Sequence, residues 1–239
     1  TVDAPALIVA SGTTSMASDV ATTDYYARRA EAYERIYAKP ERQVDLERLR
    51  EVLADYFDGR HVLELAFGTG YWTVPVAARC GRVVGVDINQ EVLDIALAKT
   101  YARHNVEFMC ADLYGDQPFG GPFDACLAAF WWSHVAMAEL PTFVDAICRR
   151  LAPGAQVMIL DNAYVLGSST PISRTDYAGN TYQLRLLDDG SEFEVMKNFL
   201  DAEAAMNAVS HCATNVRFTT TDYYWYMTFD VCAPINRSS

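Results

Sequence analysis

The sequence predicts an α/β fold built on a doubly wound, mostly parallel sheet. From residue 61 onward, short apolar runs typical of buried strands alternate with segments in which apolar residues recur every three or four positions, as on a buried helix face. Strands separated by helices are joined by right-handed crossovers and lie parallel. Because such sheets bind ligands beyond the carboxyl ends of their strands, every strand end is a candidate site.

Apolar periodicity and turn residues place the individual elements. The predicted strands are 61–66, 82–86, 106–110, 123–130, 156–160, 215–220 and 223–231. The predicted helices are 71–79, 90–103, 140–151 and 202–211. Since the last two strands are joined too tightly for a crossover helix, we expect the last strand of this seven-stranded sheet to be antiparallel.

The chain is predicted to form a single domain, residues 19–239, after a flexible N-terminal tail, residues 1–18, that is rich in Ala, Ser and Thr. Residues 19–58 are predicted as a helical lid. It contains one helix that ends before Pro40 and a second helix over 43–57. Both helices precede the first strand and are expected to pack over its carboxyl end.

A cap insertion is predicted for residues 162–200, after the fifth strand. It begins as a loop rich in Ser, Thr, Gly and Pro and continues as a β-hairpin around Asp188-Asp189-Gly190. We expect it to cover the cleft mouth and to shape ligand selectivity, with Tyr177 as one pocket residue. Its alternative roles are to cover a sheet edge or to form a homodimer contact.

Composition argues against several classes of protein. A formal charge of −12 over 239 residues, with no compensating run of Lys and Arg, argues against a nucleic-acid partner. The six cysteines stand singly, with no Cys-x-x-Cys pair, which is typical of reduced thiols and of a cytoplasmic protein. The apolar patch 5–10 is far shorter than the ~20 residues of a membrane span, so no membrane anchor or signal peptide is expected.

A glycine-containing turn follows the first predicted strand. The apolar run 62–65 leads into Ala66-Phe67-Gly68-Thr69-Gly70, where glycines let the backbone pass close to a ligand. A dinucleotide site would have a third glycine where Thr73 stands, so a pyrophosphate is a poor fit. A tight turn without any ligand is the alternative.

Two acidic residues at neighbouring strand ends narrow the choice of ligand. Asp87 directly follows the second strand, where a carboxylate can accept hydrogen bonds from both hydroxyls of a ribose. Asp112, after the third strand, is placed to accept a hydrogen bond from an adenine amino group. Ile88 and Leu113 would then flank the adenine ring.

Together these residues resemble the class I S-adenosylmethionine-dependent methyltransferases over roughly residues 25–231. Glu64 to Gly70 looks like the first motif of that family, Ala111-Asp112-Leu113 like its adenine motif, and Phe130-Trp131-Trp132 like the segment after its fourth strand. The resemblance implies a Rossmann-like fold and S-adenosylmethionine as cofactor. It also implies a cofactor site formed by Glu64, Ala66, Phe67, Gly68, Gly70, Asp87, Ile88, Asp112, Leu113 and Phe130. Two departures from the family pattern are Ala66, which replaces the usual first glycine, and the aromatic Phe67.

An aromatic pocket is expected around the sulfonium of the cofactor. A cation is attracted to an aromatic face by roughly 0.5–2 kcal/mol per ring, depending on desolvation. Phe67 is the ring expected to lie near the methionine portion. The predicted substrate pocket consists of Tyr25, Tyr26, Trp131, Trp132, Asn162 and Tyr177. For any single ring, core packing is the alternative role.

Methyl transfer needs a nucleophile in line with the methyl carbon, and often a base. His134 is a candidate base because the ordinary pKa of histidine lies near neutrality, with a capping or surface role as the alternative. Asp161 is the second candidate catalytic residue, and it faces the same cleft as Asn162. In metal-dependent catechol-type relatives such an Asp-Asn pair binds a divalent ion together with an acid after the fourth strand. Since Phe130 stands at that place here, no catalytic metal is expected.

Three functions remain open from the sequence. The first is methyl transfer to a small molecule, uncharged or zwitterionic because no basic phosphate-binding patch is visible in the sequence. The second is cyclisation of S-adenosylmethionine, in which its amino group attacks the γ-carbon to give azetidine-2-carboxylate and methylthioadenosine. The third is a non-catalytic protein that binds S-adenosylmethionine.

Overall fold

The computed structural model describes residues 6–9, 25 and 29–232. The strands in these residues are β1 (Ala6–Val9), β2 (His61–Leu65), β3 (Arg82–Asp87), β4 (Val106–Cys110), β5 (Phe123–Ala129), β6 (Leu151–Asn162), β7 (Arg174–Thr175), β8 (Thr181–Leu186), β9 (Glu192–Met196), β10 (Ala213–Thr220) and β11 (Tyr224–Val231). The α-helices are α1 (Gln43–Tyr56), α2 (Thr73–Ala77), α3 (Gln90–Leu97), α4 (Leu140–Cys148) and α5 (Ala202–Val209). Short 3-10 helices cover Ala30–Ala38, Pro40–Arg42, Trp132–His134 and Met137–Glu139.

The main sheet has the strand order β1-β4-β3-β2-β5-β6-β11-β10. Strand β11 runs antiparallel to both β6 and β10, and the other neighbouring pairs are parallel. The predicted doubly wound sheet of seven strands, here β2–β6, β10 and β11, with an antiparallel last strand is therefore confirmed, and β1 adds an eighth strand. Leu65 pairs with Val86 on one side and with Ala128 on the other, so the carboxyl ends of β2, β3 and β5 lie together.

Strand β1 corrects part of the predicted N-terminal tail. Residues 6–9 pair in parallel with β4 and extend the sheet by one edge strand, whereas residues 1–18 were all expected to be a loose tail. Four apolar residues are too few to reveal a periodicity in the sequence, but they suit a short edge strand. The other residues of 1–18 lie outside the described part of the chain.

The lid and the cap insertion differ in detail from their predictions. The first lid helix is described as a 3-10 helix over Ala30–Ala38, and Pro40 begins the next short helix. The predicted hairpin of the insertion is present as β8 and β9, and the two-residue strand β7 adds a third antiparallel strand. The insertion thus forms a small separate sheet.

Helices cover both faces of the main sheet and give it two apolar cores. One core contains Leu49 of α1, Val76 of α2 and Leu93 of α3. The other contains Phe143 of α4 and Val209 of α5. The strand ends are thereby held rigidly between two packed layers. None of the described helices is long and apolar enough to cross a bilayer.

Candidate functional site

The turn after β2 has the backbone geometry of a close-approach loop. Gly68 and Gly70 have φ angles of 57° and 75°, in the left-handed region that favours glycine. A Cβ atom on Gly70 would lie 2.7 Å from the Tyr101 hydroxyl, so this position has no room for a side chain. Ala66 also has a positive φ, 51°, which explains why a glycine is usual there and costs about 1–2 kcal/mol for alanine.

A cleft opens beyond the ends of β2, β3 and β4, and we call it the strand-end cleft. Its lining includes Ala66, Asp87, Ile88, Asp112, Leu113 and Trp131. An adjoining part of the same cleft adds Gly68, Asn89 and Phe130. The structure therefore brings most of the predicted cofactor residues to one edge of the sheet.

Asp87 lines both parts of the strand-end cleft and binds backbone N–H groups with its carboxylate. One of its carboxylate oxygens accepts a hydrogen bond from the Gly68 N–H at 2.9 Å, and the other accepts from the Asn89 N–H at 3.0 Å. Burial raises the pKa of Asp87, and these backbone donors oppose that shift. A carboxylate has about four acceptor positions, so Asp87 can still accept hydrogen bonds from a ligand.

A group of stacked rings, which we call the aromatic wall, borders the cleft next to Phe130. Trp72 stacks on Phe130 at 5.5 Å between ring centroids, and Tyr37 and Tyr224 meet Phe130 edge-on at 5.9 and 5.7 Å. The Trp72 indole N–H donates to the Tyr37 hydroxyl at 3.0 Å, which fixes both rings. Phe130 has a φ of 62°, so the chain turns sharply where β5 ends.

A second cavity of about 280 Å³, which we call the basic cavity, lies beside the aromatic wall. Tyr37 and Tyr224 line it, together with Asn162 at the end of β6. Six cationic residues from the lid and the cap insertion also line it: Arg29, Arg35, Lys39, Arg42, Arg185 and Lys197. This cavity was not expected from the sequence, which shows no run of basic residues.

Asp161 and Lys197 form a buried ion pair below the basic cavity. The Lys197 Nζ atom lies 3.0 Å from the Asp161 Oδ1 atom, and it also donates to the Ser133 hydroxyl. Burial alone would raise the pKa of Asp161, but the charge of Lys197 and two backbone N–H donors lower it below its ordinary value. Asp161 is therefore an ionised structural partner rather than a base open to a ligand.

His134 is not placed to act as the predicted base. Its Nδ1 atom lies 2.7 Å from the Met196 carbonyl oxygen, so Nδ1 carries a proton, and the residue does not line the strand-end cleft or the basic cavity. Burial and the charge of Lys197 lower its pKa to about 3. A histidine with so low a pKa is a weak acceptor for a proton at neutral pH.

Several predicted pocket residues lie elsewhere, each for a physical reason. The Phe67 ring packs on Phe108 at 4.5 Å inside the core, because Gly85 leaves space for it. Trp132 points to the opposite side from Trp131 and is fully buried against Phe143 and Trp225. Tyr177 is fully exposed in a turn of the insertion, and Tyr25 is buried against Phe193. Tyr26 lies outside the described residues.

Glu64 is buried in the middle of β2 and lines neither cavity. Its Oε2 atom has no hydrogen-bond partner in the structure. Burial raises the pKa of Glu64 to about 8, so the side chain is largely protonated at neutral pH. The structure therefore places it beneath the turn rather than in the cleft.

Sequence reasoning missed the cations of the basic cavity and Asn89. Lys39, Arg42, Arg185 and Lys197 are scattered singly along the chain, and only the fold brings them together. Asn89 precedes α3 at its N-cap position, but its side chain makes no cap bond and lines the cleft. Its position two residues after Asp87 was the available signal. Within the described residues, no three His, Cys, Asp or Glu side chains are grouped to hold a metal ion.

The chain has sequence relatives among known methyltransferases. Residues 62–154 match a family model described as a methyltransferase domain. A demethylmenaquinone methyltransferase of Clavibacter sepedonicus is 32% identical over 104 residues, which cover 43% of this chain and 41% of that protein. The corresponding enzyme of Lactococcus lactis is 28% identical over 111 residues, covering 44% and 43%. In both cases the match thus spans only about two fifths of the length of the curated relative.

Solved structures match over nearly the whole chain. The structure of DhpI in complex with SAH has 27% sequence identity and a TM-score of 0.69, and the match covers 92% of this chain and 99% of DhpI. The N-methyltransferase NodS from Bradyrhizobium japonicum, in complex with S-adenosylhomocysteine (SAH), has 15% identity and a TM-score of 0.62 over 88% of this chain and 98% of NodS. The NodS match supports the fold alone.

We predict that Phe67 contributes stability through core packing. Phe67→Ala should lower the free energy of unfolding by about 3–5 kcal/mol, because it leaves a cavity beside Phe108. Tyr177→Ala removes an exposed ring and should change it by less than about 0.5 kcal/mol. Urea denaturation measures both. A small loss of unfolding free energy for Phe67→Ala would instead indicate that the Phe67 ring lies in the strand-end cleft and not in the core.

We predict that Glu64 makes stability depend on pH. Below its ordinary pKa of 4.5, the Glu64 side chain is neutral in both the folded and the unfolded chain. Between pH 4.5 and 8 it ionises only in the unfolded chain. The free energy of unfolding therefore falls by up to about 1.4 kcal/mol per pH unit over this range. Relative to the Glu64→Gln variant, the unchanged chain should therefore become less stable from pH 5 to pH 8. Denaturation at both pH values tests this, and a constant difference contradicts it.

Proposed function

We propose that this chain, whose residues 62–154 belong to the class I S-adenosylmethionine-dependent methyltransferases, transfers the methyl group of S-adenosylmethionine to a small-molecule acceptor. The observation that carries this proposal is a pair of cavities that border the same group of rings. One has the acidic and apolar residues expected for the adenosine portion, and the other has room for a second molecule. Tyr37 and Tyr224 line the second cavity and contact Phe130, which lines the cleft for the cofactor.

The strand-end cleft fits the cofactor by the chemistry of its lining. The carboxylate of Asp87 is suited to ribose hydroxyls, and Asp112 is suited to the adenine amino group between the apolar side chains of Ile88 and Leu113. The Asp112 carboxylate also accepts a hydrogen bond from the Tyr114 N–H at 2.9 Å, which fixes its orientation. When bound, S-adenosylmethionine supplies an electrophilic methyl group on a positively charged sulfur.

The aromatic wall is suited to the sulfonium. Phe130 lines the strand-end cleft, and Tyr224, which contacts Phe130, lines the basic cavity. A cation near such aromatic faces gains roughly 0.5–2 kcal/mol per ring. The neutral thioether product gains less, so the wall favours the charged reactant and excludes water from it. We propose this role for Phe130 and its neighbours rather than for Phe67, because the Phe67 ring packs on Phe108 in the core.

The proposed transfer is a direct in-line displacement without a metal. Positioning of the acceptor supplies most of the rate in such a reaction. The metal-independent form of the proposal rests on Phe130 and Trp131, whose apolar side chains stand where metal-dependent relatives need an acid. Since Asp161 is engaged by Lys197 and His134 has a lowered pKa, an acceptor that is already deprotonated suits this site best.

We predict that the protein makes S-adenosylhomocysteine only when an acceptor is present. Purified protein is incubated with S-adenosylmethionine alone and with mixtures of small acceptors, and the products are separated by mass spectrometry. Methylthioadenosine formed without an acceptor would support cyclisation instead. Tight cofactor binding with no product in either mixture would support a non-catalytic binding protein.

We predict that Asp87→Ala weakens binding of both S-adenosylmethionine and S-adenosylhomocysteine by about 10- to 100-fold. The expected loss is that of hydrogen bonds to a charged group, about 1.5–3 kcal/mol, and both molecules contain the same ribose. Asp94→Ala removes an exposed carboxylate from α3 and serves as the control. Calorimetric titration gives the four affinities, and an unchanged affinity for Asp87→Ala would refute the ribose assignment.

A further inference from the structure

The basic cavity holds more positive charge than its carboxylates neutralise. Of its six cationic residues, Arg35 is paired with Asp188 and Lys197 with Asp161. The hydrogen bonds of Lys39, Arg42 and Arg185 go instead to neutral oxygens. None of the salt bridges in the described residues includes these three side chains.

Neutral acceptors hold these three cations in place. Lys39 donates to the Ser168 carbonyl oxygen, while Arg42 donates to the Ser168 hydroxyl at 3.1 Å and to the Asn162 side-chain oxygen at 3.2 Å. Arg185 donates to the Thr170 hydroxyl at 3.0 Å and to the Gln183 amide oxygen at 2.5 Å. The charged groups are therefore oriented without being neutralised.

Like charges are crowded in the basic cavity, which is unfavourable. Burial lowers the pKa of Lys39, and the neighbouring charges of Arg42 and Arg185 lower it further. The carboxylate of Glu41 opposes this shift, but it is exposed and accepts a hydrogen bond from the Ser168 hydroxyl. An anion in the cavity would relieve the repulsion among the cations.

We infer that the acceptor is a small acid whose oxyanion group, a carboxylate, phosphonate or phosphate, is bound by Lys39, Arg42 and Arg185. The inference rests on the proposed methyl transfer and names its substrate class. Guanidinium groups present paired N–H donors that match two oxygens of such a group, and lysine adds a point charge. This inference replaces the expectation, drawn from the sequence, of an uncharged or zwitterionic acceptor.

The position of the cavity connects this anion to the reacting centre. Arg42 lies over the Tyr224 ring at 5.4 Å, and Tyr224 meets Phe130, which lines the strand-end cleft. An acid held by Arg42 would therefore lie beside the rings that also border the strand-end cleft. An oxyanion oxygen that these cations leave free would be a nucleophile that needs no general base, which agrees with the absence of one among the predicted candidates.

The test is calorimetric titration of inorganic phosphate, acetate and methylphosphonate into protein saturated with S-adenosylhomocysteine. At least one of these probes should bind, and the preferred probe distinguishes a carboxylate from a phosphorus acid. Arg185→Gln should weaken its binding at least about 10-fold while leaving the affinity for S-adenosylhomocysteine unchanged. Arg174→Gln, the matched control in the same insertion, removes an exposed charge paired with Glu194 and should change probe binding less than about 2-fold.

Three outcomes overturn the inference. The first is competition between the probes and S-adenosylhomocysteine, which would assign the cavity to the cofactor's own carboxylate. The second is equal weakening by Arg174→Gln, which would show a general charge effect. The third is that no probe binds while the protein methylates neutral acceptors. In that case the proposed methyl transfer is correct and the inferred acidic substrate class is wrong. If methylthioadenosine forms without an acceptor, the proposed function fails whatever the probes do.

Discussion

The geometry of the site depends on the buried ion pair between Asp161 and Lys197. Lys197 lies at the end of β9 in the cap insertion, whereas Asp161 lies near the end of β6 in the main sheet. The Asp161 carboxylate also accepts from the Ser133 N–H, so one carboxylate joins three segments of the chain. Loss of either charged partner would leave the other buried and unpaired, at a cost of about 3–5 kcal/mol. Because the insertion returns to the sheet here, the pair fixes the basic cavity beside the aromatic wall.

Two strand ends that border the strand-end cleft have a strained backbone. Ala66 and Phe130 both have positive φ angles, and they follow β2 and β5, which are neighbours in the sheet. Such conformations cost about 1–3 kcal/mol each and persist only where the surroundings enforce them. Here the parallel register, with Leu65 opposite Ala128, holds both strand ends in place. The two sharp turns move the chain away from the sheet edge and thereby open the strand-end cleft between them.

Local patterns predicted the sheet and the strand-end cleft, because apolar runs and the acids that follow them are contiguous in the sequence. The basic cavity was out of reach, since Arg42 and Arg185 are brought together only by the return of the insertion over the lid. Adjacent aromatic residues posed another difficulty. Trp131 and Trp132 enter a 3-10 helix in which successive side chains diverge, so one lines the cleft and the other fills the core. The exposed position of Tyr177 could not be predicted, because residues at the tip of a turn show no periodicity.

The overall charge of the chain and the charge of its site have opposite signs, and both bear on the choice of ligand. A net charge of −12 disfavours a polyanion, which would meet many surface carboxylates at once. A small anion interacts mainly with charges within about 8 Å at physiological ionic strength, because salt screens exposed charges farther away. Within the basic cavity the nearby charges are cationic and partly desolvated, so they are screened less. A net negative charge that disfavours nucleic acid is therefore compatible with binding of a small acid at the proposed site of methyl transfer.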